Sequence, residues 1–142
     1  MRRTLISMGV LAALVMAAMA CGSGTSGSVV GTGETCFKTG SSGVCEGTYS
    51  KLNGSYGADV EDDDIFSGDE VAVTVEFSVE TGTVRVSVTS PDDQVQSAEA
   101  GPGQSATVMG VAEGTMDGFE VKFEAVGGEA TGVAYRISYQ VP

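Results

Sequence analysis

The side chains best suited to chemistry crowd into one stretch, "GADVEDDDIFSGDE", Gly57 to Glu70. It carries Asp59, Glu61, Asp62, Asp63, Asp64, Asp69 and Glu70. Oxygen this dense suits Ca²⁺, which takes roughly six to eight oxygen ligands. Asp59, Glu61, Asp62, Asp63, Asp64 and Asp69 are therefore the candidate calcium ligands. Their spacing is not that of an EF-hand, because counting from Asp59 the required glycine position holds Asp64. The competing reading is a solvated acidic loop ahead of a strand, its charges repelling one another. A second candidate is a sugar-binding platform at Tyr49 and Tyr56, near "SKLNGSYG", the two tyrosines that fall outside the strong inward pattern. The competing reading there is two ordinary edge or turn tyrosines.

Catalysis is not expected. The chain has no histidine. A Ser-His-Asp or Cys-His nucleophile system cannot be assembled, and imidazole metal sites are excluded. A glycosidase needs two carboxylates held at fixed separation in a cleft. Here the acids fall on outward strand positions and in loops, so no catalytic residue is assigned.

Cysteine is the other reactive residue, and there are three: Cys21, Cys36 and Cys45. Cys36 and Cys45 close the short loop "CFKTGSSGVC". A redox pair would show C-x-x-C and a zinc site needs further ligands. A structural disulfide Cys36–Cys45 is therefore favoured, provided the compartment is oxidising. Cys21 sits elsewhere, at the seam of "LVMAAMACGSGTSGS".

That seam says where the chain goes. Met1-Arg2-Arg3 precedes an apolar run from Leu5 to Ala20, the n-region and h-region of a secretory signal. The run is shorter than the ~20 residues a membrane-spanning helix needs. It ends in Ala18-Met19-Ala20, an A-x-A cleavage pattern, followed at once by Cys21. These residues resemble the lipobox signal of bacterial lipoproteins. Where that family favours leucine and then a small residue, this chain has Ala18 and Met19. The resemblance implies cleavage before Cys21 and acylation, palmitate included, of Cys21. It also implies a protein anchored by lipid to the cell membrane or outer membrane, facing away from the cytoplasm. More than one acyl chain is needed for stable anchoring.

Organisation follows. Residues 1–20 read as signal peptide, 21–35 as a flexible Gly/Ser/Thr tether, and 36–142 as one domain. Removing the first 20 residues takes away Arg2 and Arg3 and no acid, leaving a chain still more acidic than the −12 of the whole. Such a surface repels nucleic acid and anionic headgroups. Expected partners are the membrane, through the lipid, and an envelope protein or polysaccharide.

The elements that must position these residues are strands. Val71, Val73, Val75, Phe77 and Val79 alternate with Ala72, Thr74, Glu76 and Ser78, which means one buried face and one wet face. Val84, Val86 and Val88 repeat the rule. A turn at Thr81-Gly82 would make these a hairpin, pairing Val79 with Val84, Phe77 with Val86 and Val75 with Val88, and setting Glu76 diagonal to Arg85. Phe119, Val121, Phe123 and Ala125 form another inward row, and Val133, Tyr135, Ile137, Tyr139 and Val141 the last. Weaker strands surround Val95 and Val108. About seven short strands, with turns at Pro91, Gly101–Gly103, Asp117-Gly118 and Gly127-Gly128, predict an all-β domain, a single antiparallel β-sandwich. Immunoglobulin-like and jelly-roll-like topologies both remain open. The function expected is a non-catalytic envelope module with a binding or structural role. The alternative is a carbohydrate-binding module with structural calcium.

Overall fold

A computed structural model describes residues 27–142. The signal peptide expected over 1–20, its cut, and the lipid site Cys21 lie outside the described residues. The described chain is all β. Nine strands run in order: β1 (Ser28–Thr39), β2 (Ser42–Asn53), β3 (Ser55–Glu61), β4 (Glu70–Val79), β5 (Val84–Thr89), β6 (Val95–Ala100), β7 (Gln104–Thr115), β8 (Gly118–Ala125) and β9 (Ala130–Gln140). Every strand pairing is antiparallel.

The strands form two leaves. One has the order β1-β2-β9-β4-β7 and the other β3-β8-β5-β6. Hydrogen bonding passes from leaf to leaf through two pairs at the β7–β8 turn, Gly114↔Phe119 and Thr115↔Gly118. Elsewhere the leaves meet by packing. Phe123 of β8 lies 5.5 Å from Tyr49 and 4.9 Å from Tyr135, and Phe119 lies 5.2 Å from Tyr139, centroid to centroid. These contacts join β8 to β2 and β9 across the interior, so the molecule is a β-sandwich with one continuous core. The order 2-9-4-7 facing 3-8-5-6 is that of a jelly roll, which decides between the two topologies left open above.

The inward rows are those the alternation predicts. Val71 to Val79, Val84 to Val88, Phe119 to Ala125 and Val133 to Val141 are all buried at every second position, with Val84, Val86 and Val88 fully so. The partners differ from expectation. β4 pairs with β7 and β9, and β5 with β6 and β8, so Val79, Phe77 and Val75 do not pair with Val84, Val86 and Val88. The Thr81-Gly82 segment is a corner between leaves. Glu80 N and Thr81 N donate to Thr131 O, and Thr131 N donates back to Thr81 O, clamping the corner against the start of β9. Gly82 takes φ 81°, and a Cβ there would come within 2.6 Å of Glu129 O. In a sandwich both leaves bury alternate residues, so a corner and a hairpin carry the same alternation. Arg85 accordingly meets Glu99 (2.7 Å) and Glu124 (3.0 Å), its cross-strand neighbours on β6 and β8, rather than Glu76.

The tether also needs correction. The stretch expected to be flexible over 21–35 is strand from Ser28 onward, paired residue by residue with β2 from Ser28↔Asn53 to Thr39↔Ser42. Its Gly/Ser/Thr composition hides a strand whose side chains are mostly exposed, so no burial pattern marks it. Cys36 faces Cys45 in this ladder, and the two form the disulfide, with Cα atoms 4.1 Å apart. By loop-closure entropy a ring this small contributes about 3 kcal/mol.

Candidate functional site

The acidic stretch does not gather into one site. Glu61 ends β3, and Asp62 to Asp69 form the loop to β4. Asp62 is buried, its side chain wholly so. Its Oδ1 accepts from Lys38 Nζ (2.5 Å) and from the Asp64 backbone N–H (3.0 Å), and its Oδ2 accepts from the Tyr139 hydroxyl (2.9 Å). Lys38 also donates to Asp64 Oδ2 at 2.5 Å. Asp69 Oδ2 accepts from the Phe66 N–H, closing a turn within the loop. Asp63 is exposed, and Asp59 lies on β3 opposite Glu120.

Among the described residues, Glu34, Cys36 and Cys45 alone bring three potential ligand atoms within 4.8 Å of one another. Two of those atoms are the bonded sulfurs of the disulfide, so Glu34 is the one anionic donor of that group. Of the six carboxylates predicted to hold calcium, Asp62 and Asp64 are bolted together by Lys38, and no three of the six bring ligand atoms within 4.8 Å of one another. Lys38, from β1, is the residue the sequence reading missed, and nothing local to the acidic stretch signals it.

Charge fixes the protonation of this bolt. Burial pushes the Asp62 carboxyl up, but Lys38, the Asp64 N–H and Tyr139 together outweigh it and hold it below the ordinary aspartate value. Hydrogen bonds to Asp62 and then Asp64 hold the Lys38 ammonium above its ordinary value. Burial, helped by Asp62, pushes the Tyr139 phenol up to about 12. At neutral pH Lys38 is an ammonium and Asp62 a carboxylate, beside the neutral phenol of Tyr139.

The second gathering is a pocket of about 220 Å³ at the opening between the leaves, where β1 and β3 form the margins. It is lined by Thr32 and Glu34 of β1, Tyr49 of β2, Tyr56 and Asp59 of β3 with Ala58 beside them, and Tyr135 of β9. The structure thus brings Tyr49 and Tyr56 together as the sequence suggested, with ring centroids 5.6 Å apart. They do not make a flat exposed platform. Tyr49 is buried at 3% exposure and only Tyr56 is half open. Tyr135 completes the group, 5.1 Å from Tyr49, and donates its hydroxyl to Glu34 Oε2 at 2.5 Å. Burial, then Glu34 and Tyr49, raise the Tyr135 phenol above its ordinary value, and burial pushes Tyr49 up to about 12. Both stay neutral donors at physiological pH.

Two glycines make room for these rings. Gly43 and Gly47 of β2 stand directly opposite Tyr139 and Tyr135 of β9. A Cβ on Gly47 would meet Tyr135 Oη at 2.3 Å, and one on Gly43 would meet the Tyr139 ring at 2.1 Å. Each tyrosine lies over the bare backbone of a strand glycine, an arrangement that lets an aromatic ring cover an otherwise unpacked site. A shallower groove of about 580 Å³ lies on the outer face of β2, β9, β4 and β7. Its polar lining includes the exposed pair Arg136–Glu46, 3.7 Å apart.

No known protein family matches the sequence, and no curated protein matches it. The solved structures that the chain weakly resembles include the following three. One is to Peruvianin-I, a cysteine peptidase from Thevetia peruviana latex (13% identity, TM-score 0.39, 78% of this chain and 62% of that one). Another is to oxalate oxidase in complex with the substrate analogue glycolate (13%, 0.39, 78% and 51%). The third is to a cupin domain of an XRE-family transcriptional regulator from Enterobacter cloacae (10%, 0.38, 78% and 97%). The chain therefore spans about 62% and 51% of the first two proteins' lengths. Likenesses this weak carry no argument about activity, and the fold assignment rests on strand order.

Proposed function

We propose that this protein is a lipid-anchored module of the cell envelope, held outside the cytoplasm through Cys21, with a non-catalytic binding or structural role. The observation that supports this reading is the use of the cysteines. Cys36 and Cys45 are joined to each other, which suits an oxidising compartment. Cys21 is the third, and it directly follows the small-residue motif at the end of an apolar leader. The absence of histidine and the full satisfaction of Asp62 favour a role without catalysis.

The test is expression of the full chain in a bacterial host supplied with a labelled fatty acid. The chain is expected in the membrane fraction, labelled, with an N-terminal peptide whose mass includes acylated Cys21. Cys21→Ala should lose the label and leave the membrane. Label on the Cys21→Ala chain, or an unmodified Cys21 in the native material, overturns the reading.

A second reading, the carbohydrate-binding module, is favoured by the meeting of Tyr49, Tyr56 and Tyr135 in one pocket. Saturable retention on a glycan array, lost in Tyr56→Ala, would support it. Calcium belongs to this reading through the acidic loop. An unchanged melting midpoint between chelator and calcium at about millimolar concentration removes that part.

A further inference from the structure

The pocket between β1 and β3 has a feature that bears on its ligand: its negative charge is uncompensated. Glu34 and Asp59 stand on its two margins, and no lysine or arginine lines it. Neither carboxylate forms an ion pair among the described residues, whereas Asp62 and Asp64 share Lys38, Glu99 and Glu124 share Arg85, and Glu46 has Arg136. Asp59 also stands opposite Glu120 in the β3–β8 ladder, a like-charge pair that is destabilising in a sheet. A cation beside Asp59 would relieve it.

Tyr49, Tyr56 and Tyr135 line the same pocket as the two carboxylates. Aromatic rings attract cations through their quadrupoles, and groups of rings with an acidic rim recognise ammonium head groups. At about 220 Å³ the pocket is smaller than the roughly 300–1,000 Å³ of sites for drug-sized ligands, so it suits a head group or the end of a side chain.

We propose that this pocket binds a small organic cation, an ammonium group seated among Tyr49, Tyr56 and Tyr135 between Glu34 and Asp59. The inference concerns the pocket alone and does not need the lipid anchor. It gives the pocket a ligand class opposed to the neutral sugar of the second reading.

The test uses the chain's own optics. There is no tryptophan, and three of the four tyrosines line this pocket, so tyrosine emission reports its occupancy. Choline is the probe. Its neutral isostere 3,3-dimethylbutanol and glucose are the comparisons, all at constant ionic strength. Choline is expected to change the emission saturably, with a Kd on the order of 1 mM. Asp59→Asn and Glu34→Gln should each weaken binding about five-fold, with the melting midpoint unchanged or nearly so. Both substitutions keep side-chain shape at exposed positions, and glutamine still accepts the Tyr135 hydroxyl. Equal affinity for the neutral isostere, unchanged affinity in both variants, or no saturable response to choline overturns the proposal. Saturation by glucose without choline also overturns it and favours the neutral sugar. Melts and fatty-acid labelling on the same preparations keep its failure distinct from that of the lipid-anchor reading.

Discussion

Asp62 is a buried carboxylate with three donors on two oxygens, in a protein where no buried side-chain polar atom among the described residues lacks a partner. Removing its charge leaves Lys38 access to water, since that side chain is one-third exposed, but takes a strong acceptor from Tyr139. Asp62→Asn should therefore destabilise by about 1–3 kcal/mol. The sign of the pH effect follows from the depressed carboxyl. A group whose folded pKa lies below its unfolded one adds stability that is fully present above the unfolded value, about 3.9, and is lost as pH falls through the folded value. Lys38 and Tyr139 are raised, so their contributions persist until strongly alkaline pH. The expected curve of melting midpoint is flat from about pH 5 to 9 and falls below about pH 4. In Asp62→Asn the plateau is lower and the acid fall is shallower. An equally steep acid fall in the variant would show that Asp62 does not carry it. The sequence displays the acids but not this arrangement, because Lys38 lies 24 residues before Asp62 and Tyr139 lies 77 after it. Side chains this far apart in the chain meet only through the jelly-roll path.

Strands show the same limit at the next scale. Alternation marks which residues of β4, β5, β8 and β9 turn inward, because burial imposes a period of two on any strand of a sandwich. It is silent about which strand lies beside which, and so β4 and β5 read as a hairpin although they belong to opposite leaves. β1 leaves no mark in the sequence because its exposed side chains impose no period. β2 is equally obscure, since Gly43 and Gly47 fill inward positions that apolar residues would otherwise mark. Those glycines are legible only once β9 is placed beside them, each under a tyrosine. Gly47→Ala tests this. Its Cβ would overlap Tyr135, so the ring must move, at a cost of about 1–3 kcal/mol. The same displacement would pull the hydroxyl from Glu34 and disturb the pocket. If crowding is the cause, Gly47→Ala should cost much less in a Tyr135→Ala background than in the wild type. Urea unfolding of the four proteins gives the coupling. Independent, additive costs would mean that Gly47 is needed for its backbone rather than for the space it leaves.

For the whole molecule, strand directions sort the connections between two ends. The start of β1 lies with the β2–β3, β4–β5, β6–β7 and β8–β9 links. The β1–β2, β3–β4, β5–β6 and β7–β8 links and the chain's last residues lie at the other end. That far end carries Asp62, Asp63, Asp64, Asp69, Glu70, Asp92, Asp93 and Asp117, against the single base Lys38, itself held by Asp62 and Asp64. It also exposes Phe66 and Met116. Ser28, where the described strands begin, lies beside Asn53, so if Cys21 carries the proposed lipid the acidic end would point away from the membrane. A strand of twelve residues spans about 40 Å, several screening lengths at physiological salt. Repulsion between that end and anionic headgroups would reinforce the orientation at close approach. Fluorophores attached through Asn53→Cys and Ser67→Cys on the lipidated protein in anionic vesicles read this directly. A quencher carried on the headgroups should dim the label at position 53 strongly and the label at position 67 little, and raising salt should leave that order unchanged, since the strands set it and charge only sharpens it. Equal quenching at both positions would mean that the sandwich lies flat on the bilayer, and that neither the anchor nor the charge holds its acidic end outward.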